Sequence, residues 1–269
     1  MKKLLSLICM LLCAAMLITP AMADETVTLA DITAEGKYEA KLTRTVKFMG
    51  EGMQDHYYVQ QGACTDGTYG YFLLESRVDN ACAMFKLDLN TWEIIESKYN
   101  IPVEHGNGMA YNPNTNQFVV AHCKPTTNRL TFLNYETWEA EGTLDLPFNF
   151  LSVGYDAVND RYVMGHKDGK TWSVLDGQFN EIARHTIIDG FCNNQDLDCD
   201  ENYVYFLEWD TKKLYSSNIS IFDWDGNFIN SITIKSMNEV ESMFHLGDRV
   251  ILPFYTKAAD IYEATLIKK

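Results

Sequence analysis

The residue types best suited to chemistry recur at matched positions along this sequence. A turn-forming or equivalent residue returns every 44 to 46 residues, at Asp66, Asn112, Asp156, Asp200 and Leu246. Five positions before each of these come Gln61, Asn107, Leu151, Gln195 and Glu241. Four of the five are polar. A ring of amides and a carboxyl group is suited to orienting a small polar ligand.

A second set of polar residues stands where the following strand of each repeat ends. Its members are Glu75, His122, His166, Glu208 and Tyr255. Carboxylates on both sides of a bound sugar would suit glycoside hydrolysis, with Glu75, Glu208 and Glu241 as candidates. A lyase would instead need a histidine base and a divalent ion, with His122 or His166 as the base. The polar lining of a water-filled channel is the alternative that involves no ligand.

The histidines raise the question of a metal site. Imidazole is a common metal ligand, and His105, His122 and His166 all fall near the two sets. The spacing matches no HxH or HExxH motif, and the repeat-equivalent pair His122 and His166 also fits an inherited structural role. We therefore predict no metal site.

Aromatic residues accompany the polar ones. Flat rings beside amide groups are suited to neutral polar ligands such as glycans, although loop aromatics also pack between sheets. The predicted aromatic set is Tyr57, Tyr58, Phe148, Phe150, Phe191, Trp209 and Tyr255. The predicted ligand-binding residues are Gln61, His105, Asn107, Gln195, Trp209 and Glu241.

Three acids alternate in the fourth repeat, at Asp196, Asp198 and Asp200. Alternate residues of a strand share a face. The spacing resembles that of a calcium loop, but the glycine and the distal glutamate of such a loop are absent. We interpret the three as turn and channel acids.

Short strands position these residues. The segment Val103–Lys124 predicts two strands around the turn Asn112–Asn116, since Asn and Pro favour turns, and similar hairpins recur in each repeat. A second hairpin follows in each unit. The dipeptides Asp176-Gly177 and Asp225-Gly226 predict type I′ turns there.

Four strands in about 45 residues is typical of a β-propeller blade. We predict an all-β, five-bladed β-propeller with four antiparallel strands per blade and little helix. The last repeat lacks an outer strand, and the strand that begins at Tyr38 is predicted to supply it. A β-sandwich is the alternative fold.

The first 23 residues read as a secretory signal. Lys2 and Lys3 precede an apolar run and a small-residue cleavage site before Asp24. The predicted mature protein is one domain, 24–269, in which residues 24–55 supply the closing strand. We expect a secreted or extracytoplasmic protein without a membrane span, because no apolar segment is long enough to cross one.

The chain is acidic, with a formal net charge of −15 at pH 7. Nucleic acid and anionic membrane surfaces would repel it, so neither is an expected partner. Five of the seven cysteines follow residue 23, and no CxxC pair occurs among them. Buried free thiols are expected, with a Cys192–Cys199 bridge as the open alternative.

The segment YNPNTNQFVVAH resembles the inner hairpin of secreted propellers with YVTN- or NHL-type repeats, a group that includes virginiamycin B lyase and is similar to the five-bladed glutaminyl cyclases. The strand reads FVVAH and departs from the YVTN signature. The resemblance implies kinship of fold.

Three functions follow. The first is binding of a glycan or another small polar ligand at the central channel face. The second is an enzyme on the same face, either a lyase or a glycoside hydrolase. The third is a platform for protein docking. Binding is favoured, because inner-strand positions that carry acids in five-bladed glycosidases hold Gln61, Asn107, Leu151 and Gln195 here.

Overall fold

The structure is a computed structural model that describes residues 24–47, 56–187, 194–209 and 216–269. The described part contains strands and one short 3₁₀ helix, Leu29–Asp31, but no α-helix. The predicted signal segment and Phe191 lie outside the described residues, as does Cys192. No helix in the described ranges is long and apolar enough to span a bilayer.

The strands follow the predicted four-strand repeat. Strands β1 (Glu25–Val27) and β2 (Tyr38–Lys47) come first. They are followed by β3 (Tyr57–Thr65), β4 (Tyr69–Ser76), β5 (Cys82–Asp88), β6 (Ile94–Ile101), β7 (Gly106–Asn112), β8 (Gln117–His122), β9 (Arg129–Asn134), β10 (Ala140–Asp145), β11 (Phe150–Asp156), β12 (Arg161–His166), β13 (Thr171–Asp176), β14 (Glu181–Thr186), β15 (Asn194–Cys199), β16 (Tyr203–Trp209), β17 (Ser216–Asp223), β18 (Phe228–Lys235), β19 (Phe244–Leu246), β20 (Arg249–Pro253) and β21 (Asp260–Lys268).

Three separate antiparallel sheets of four strands are formed by β3–β6, β7–β10 and β11–β14. The remaining strands form one nine-stranded sheet, in which β15 to β18 are joined to β2, β21, β20 and β19. The predicted strand β2 pairs antiparallel with β21 along its length. Its other edge makes a short parallel pairing with β18, which the sequence did not predict, and this pairing merges two repeats into one mixed sheet. The fold is therefore all-β and propeller-like.

The predicted turn positions do nucleate the hairpins. Asn112 accepts backbone N–H hydrogen bonds from Asn114 and Thr115 on its side-chain oxygen, at 2.8 and 3.2 Å. Asp66, Asp156 and Asp200 make the same pair of bonds to the residues two and three positions on. A short side chain that caps its own turn explains why Asn and Asp recur there.

The predicted type I′ turns at the second hairpins are wrong. Type I′ needs a positive φ at both central residues, whereas in each of these loops only the last residue has one, Phe179 (63°) in one hairpin and Gly226 (87°) in the other. Each of these loops has three residues. Asp176 and Asp223 stand immediately before the loops, and their side chains accept backbone hydrogen bonds there. Each of these two aspartates thereby caps its turn.

The core lies between sheets. Five clusters of buried apolar side chains each join one repeat to the next, and the cluster around Phe72, Phe85 and Phe244 joins the first repeat to the last. The first strands of the repeats also contact one another in a closed order, β3 with β7, β7 with β11, β11 with β15, β15 with β19, and β19 with β3. Their polar residues therefore converge on a common axis.

Candidate functional site

The polar ring predicted from the sequence sits on β-bulges. Pairing between β7 and β8 skips Asn107, pairing between β11 and β12 skips Leu151, and pairing between β15 and β16 skips Gln195. In the first repeat the irregularity falls at Gln61 and Gly62. A bulge leaves one residue unpaired and re-aims its side chain. We call the ring of Gln61, Asn107, Leu151, Gln195 and Glu241 the channel mouth.

Hydrogen bonds connect members of the channel mouth. Asn107 donates from Nδ2 to the backbone oxygen of Gln195 at 2.7 Å. Gln195 in turn donates from Nε2 to the carboxylate of Glu239, in a short contact. Gln61 is buried and its Oε1 has no hydrogen-bond partner among the described residues. An unpaired buried acceptor costs free energy, so this amide is available to a ligand donor or to water.

Below the mouth the channel closes. The residues four positions before each turn are Gly62, Gly108, Ser152, Asp196 and Ser242. A Cβ added to Gly108 would lie 2.7 Å from the Ser152 Cα, so the strands touch backbone to backbone. The fully buried Asp196 accepts a short hydrogen bond from the Ser242 hydroxyl. We call these five residues the constriction.

At the mouth, Glu75 and His105 form a close pair. Nδ1 of His105 lies 2.5 Å from Oε1 of Glu75, and both side chains are buried. Burial alone would raise the pKa of Glu75, but His105, Lys124 and Arg77 together hold that pKa below its usual value. Glu75 is therefore an ionised carboxylate near neutral pH.

The neighbouring acids behave in the opposite way. Glu241 is partly exposed to solvent, yet desolvation, with Glu239 and Glu75 nearby, raises its pKa well above the usual value. Desolvation also raises the pKa of Glu239, and the hydrogen bond from Gln195 only partly offsets this rise. One face thus holds carboxyl groups of opposite protonation tendency, which is the pattern of an acid and base pair.

The predicted residues at the ends of the second strands are anchored to hydroxyl groups within the sheets. Nε2 of His122 lies 2.8 Å from the Thr131 hydroxyl, and Nε2 of His166 lies 2.8 Å from the Ser173 hydroxyl. Glu208 accepts from the Ser220 hydroxyl at 3.1 Å. The recurrence of this contact in three repeats favours a shared structural role.

His122 is held on both sides of its ring. Besides Thr131, its Nδ1 faces Oε2 of Glu104 at 3.2 Å. Burial lowers the pKa of His122, against the pull of Glu104. The side chain is 2% exposed, so a ligand at the surface has little access to either ring nitrogen.

His166 borders a second hollow. Its ring stacks on Phe148 with centroids 4.3 Å apart. An open hollow of about 370 Å³ is lined by His166, Asn149, Lys167 and Asp168. Desolvation, followed by the nearby Arg184, lowers the pKa of His166, so the imidazole is neutral at pH 7.

Glu208 is a buried acid that has no cationic partner in the described ranges. It is 2% exposed, its Oε1 has no partner among the described residues, and desolvation raises its pKa to about 8. A carboxyl group in this state is largely protonated at pH 7. The Glu208 carboxyl group could contact a ligand only if this end of the sheet opened.

An aromatic cleft opens on this face. It has a volume of about 400 Å³ and is lined by Tyr58, Trp209, Met237, Asn238, Glu239, Tyr255, Thr256 and Lys257. Two contacts tie it to the mouth: Glu239 bonds to Gln195, and Arg77 lies over the Tyr255 ring while its Nη1 is 3.8 Å from Glu75. The structure thus brings Trp209 together with Gln195 and Glu75.

The other predicted aromatics are dispersed. Tyr57 is fully buried and donates a hydrogen bond to Asn100, and Phe150 belongs to the core between two sheets. Phe148 stacks on His166 at the second hollow. Only Tyr58, Trp209 and Tyr255 of the predicted set line the aromatic cleft.

Sequence reasoning missed Glu239 as a member of the site. Glu239 lies seven positions before Leu246, the turn position of its repeat. The equivalent residues in the second and third repeats are His105 and Asn149. His105 borders the mouth and Asn149 lines the second hollow. A comparison of the repeats at this position, beside the one five residues before the turn, would have identified all three.

No group of three or more histidine, cysteine, aspartate or glutamate side chains in the described ranges is arranged to hold a metal ion. Four described cysteines, Cys64, Cys82, Cys123 and Cys199, are free thiols. Three of them are buried, as expected.

Comparisons with known proteins do not place the chain in a family. No family model matches it, and no curated protein matches it. Among solved structures, hydrazine synthase of Kuenenia stuttgartiensis is similar over 77% of this chain, with 8% sequence identity and a TM-score of 0.47. The match covers 58% of the length of that chain.

Proposed function

We propose that this protein is an exported five-bladed β-propeller that binds a glycan or another small polar ligand at the channel mouth and the aromatic cleft. The cyclic contacts of the first strands and the five inter-sheet cores support five blades, with β2 completing the last one. The basic, then apolar, residues before Asp24 support export.

One observation carries the binding proposal: a row of tyrosine and tryptophan rings opens directly beside a ring of amides. Trp209, Tyr58 and Tyr255 supply flat apolar surfaces, while Asn238 and Glu239 supply hydrogen-bonding groups in the same cleft. Gln195 continues these groups into the mouth. A sugar presents an apolar ring face edged by hydroxyl groups, so it matches both features.

The test is calorimetric titration of the purified protein with a panel of neutral oligosaccharides. We expect saturable binding that weakens at least tenfold, about 1.4 kcal/mol, in Trp209→Ala and in Gln195→Ala. Phe228→Ala is the matched control, because that ring is 53% exposed on the outer strand β18 and away from the cleft. A lack of binding across the panel, or equal losses in all three variants, would refute the proposal.

The second candidate is an enzyme that uses the same face. The observation in its favour is the contrast between Glu75, whose pKa is lowered by His105, and Glu241, whose pKa is raised well above its usual value by desolvation. A glycoside hydrolase needs such a base and acid. Hydrolysis of a bound oligosaccharide that is lost in both Glu75→Gln and Glu241→Gln, with binding retained, would establish it.

The lyase alternative receives less support, since Nε2 of both candidate bases, His122 and His166, is engaged by a hydroxyl group within the sheets. No feature of the described residues favours protein docking over ligand binding. Both remain outcomes of the titration: a protein that binds no saccharide would direct attention to protein partners.

A further inference from the structure

A further cavity, distinct from the aromatic cleft and from the hollow beside His166, lies on the other side of the constriction. It is at the end of the channel where the hairpin turns follow the first strands, and we call it the turn-side cavity. It encloses about 200 Å³. Cys64 and Asp198, each two residues before its turn position, contribute to its lining, as do Tyr111, Tyr155 and His245. The fully buried Asp196 and Ser242 separate it from the mouth, so it is a compartment of its own.

The electrostatic field in this cavity is negative. His245 is the one basic side chain on its wall among the described residues, and its Nδ1 lies 2.6 Å from Oδ2 of Asp198. Asp66 and Asp200 stand nearby. Asp66 accepts hydroxyl bonds from Tyr71 and Tyr135 and has no cationic partner within ion-pair distance among the described residues.

The aspartates around the cavity act on its titratable groups in the same direction, and Arg161 partly opposes them at Cys199. Burial, then the charges of Asp198 and Asp66, raise the pKa of the Cys64 thiol. Burial, then Asp198, Asp156 and Asp200, raise that of Cys199. Although burial lowers the pKa of His245, Asp198 and Asp200 raise it above its usual value overall. Neither cavity thiol makes a hydrogen bond to a described residue.

Two tyrosine rings, two thiols and the carboxylate of Asp198 line a small, partly open volume, with Asp66 and Asp200 behind the wall, and this combination favours one chemical class of ligand. A cationic nitrogen carrying small alkyl groups gains from the carboxylates by charge and from tyrosine rings by cation–π attraction. A volume of 200 Å³ is below the usual range for drug-sized ligands, so the ligand must be small. We propose that this turn-side cavity is a second binding site, for a small organic cation of the alkylammonium type.

The probe is tetramethylammonium chloride, titrated calorimetrically into the purified protein at constant ionic strength, with sodium chloride as the reference titrant. We expect saturable binding of the organic cation that weakens at least tenfold in Asp198→Asn. Tyr111→Leu, which keeps the charge and removes a ring, should also weaken it. Trp209→Ala, in the aromatic cleft on the other face, should leave the affinity unchanged.

Circular dichroism of each variant separates loss of binding from loss of folding, and Tyr111→Leu serves as the test if Asp198→Asn does not fold. Absence of saturable binding would overturn the proposal. So would equal heats from sodium, which would mean an inorganic cation only, or affinity that persists in both variants. Loss of binding in Trp209→Ala would place the cation in the cleft and overturn it as well.

Discussion

The side-chain amide of Asn107 on β7 donates a hydrogen bond to the backbone oxygen of Gln195 on β15, at 2.7 Å. These strands belong to the second and fourth repeats, so the bond crosses the channel between sheets that are not neighbours. It joins two β-bulges. The channel mouth is therefore held together across its width by this bond, as well as by the contacts between neighbouring strands around it.

Replacing Asn107 by aspartate should destabilise the fold. An ionised carboxylate cannot donate and would face the Gln195 oxygen, so we expect a loss of about 1–3 kcal/mol in the free energy of unfolding. Urea denaturation at pH 7 measures it. Asn202→Asp, in an exposed turn, adds the same charge and serves as control. Equal losses in the two variants would show that added charge, and not the lost bond, is responsible.

Gly108→Ala should be costly, since its Cβ would meet backbone atoms of Ser152 and Val153 at 2.7 and 2.9 Å. Backbone cannot rotate away as a side chain can, so we expect about 1–3 kcal/mol of destabilisation in thermal or urea unfolding. Gly142→Ala is the matched control, because nothing lies within 4 Å of its added Cβ. An undiminished stability of Gly108→Ala would mean that the constriction is loosely packed.

Glu208 should make the fold less stable as pH rises. Desolvation raises its pKa to about 8 in the folded protein, above its unfolded value near 4.5, so the folded state holds the proton more tightly. Its contribution is fully present below about pH 4.5 and is lost up to about pH 8, a total of about 3–5 kcal/mol. Other buried acids, such as Asp196, act in the same direction.

Glu208→Gln removes this titration. Between pH 5 and pH 8.5, the free energy of unfolding of the variant should therefore fall by about 3 kcal/mol less than that of the original protein. Urea unfolding at the two pH values measures the difference. Glu136→Gln, on an exposed turn, should leave the pH dependence as it was. Parallel pH profiles for Glu208→Gln and the original protein would contradict the buried, protonated carboxyl group.

His105 should control the protonation of Glu75. His105→Gln removes the imidazole 2.5 Å away, so the pKa of Glu75 should rise, because burial then acts with less opposition. Carboxyl carbon NMR titration measures this pKa directly. His185→Gln on the outer strand β14 is the control. If the Glu75 pKa stays low in His105→Gln, then Arg77 and Lys124 hold it there instead.

The sequence predicted what depends on short stretches of chain. The Asn and Asp turn residues act on amides two and three positions away, and the strands follow from local alternation. The pairing of β2 with the last repeat was also predictable, from the absence of an outer strand there. The polar mouth followed from comparing repeats.

The remaining features arise from contacts between distant segments. Three contacts depend on how the sheets pack against one another. They are the pairing of β18 with β2, the hydrogen bond from Gln195 to Glu239, and the enclosure of Asp196 by Ser242. Spacing along the chain does not encode that arrangement. The polar residue types predicted which side chains recur at matched strand positions, but which of them would be engaged by neighbours, such as His122, required the packed structure.

The pairing of β2 with β21 joins segments more than 200 residues apart, as in the bond from the Thr45 hydroxyl to the Ile261 backbone oxygen. Such a pairing carries a large loop-closure entropy and slows folding. Until β21 has been synthesised, β2 has no antiparallel partner and the cores on both sides of the last repeat remain open. This seam between β2 and β21 is therefore the last part of the molecule to assemble. We expect unfolding under a pulling force, and cleavage by proteases, to begin there.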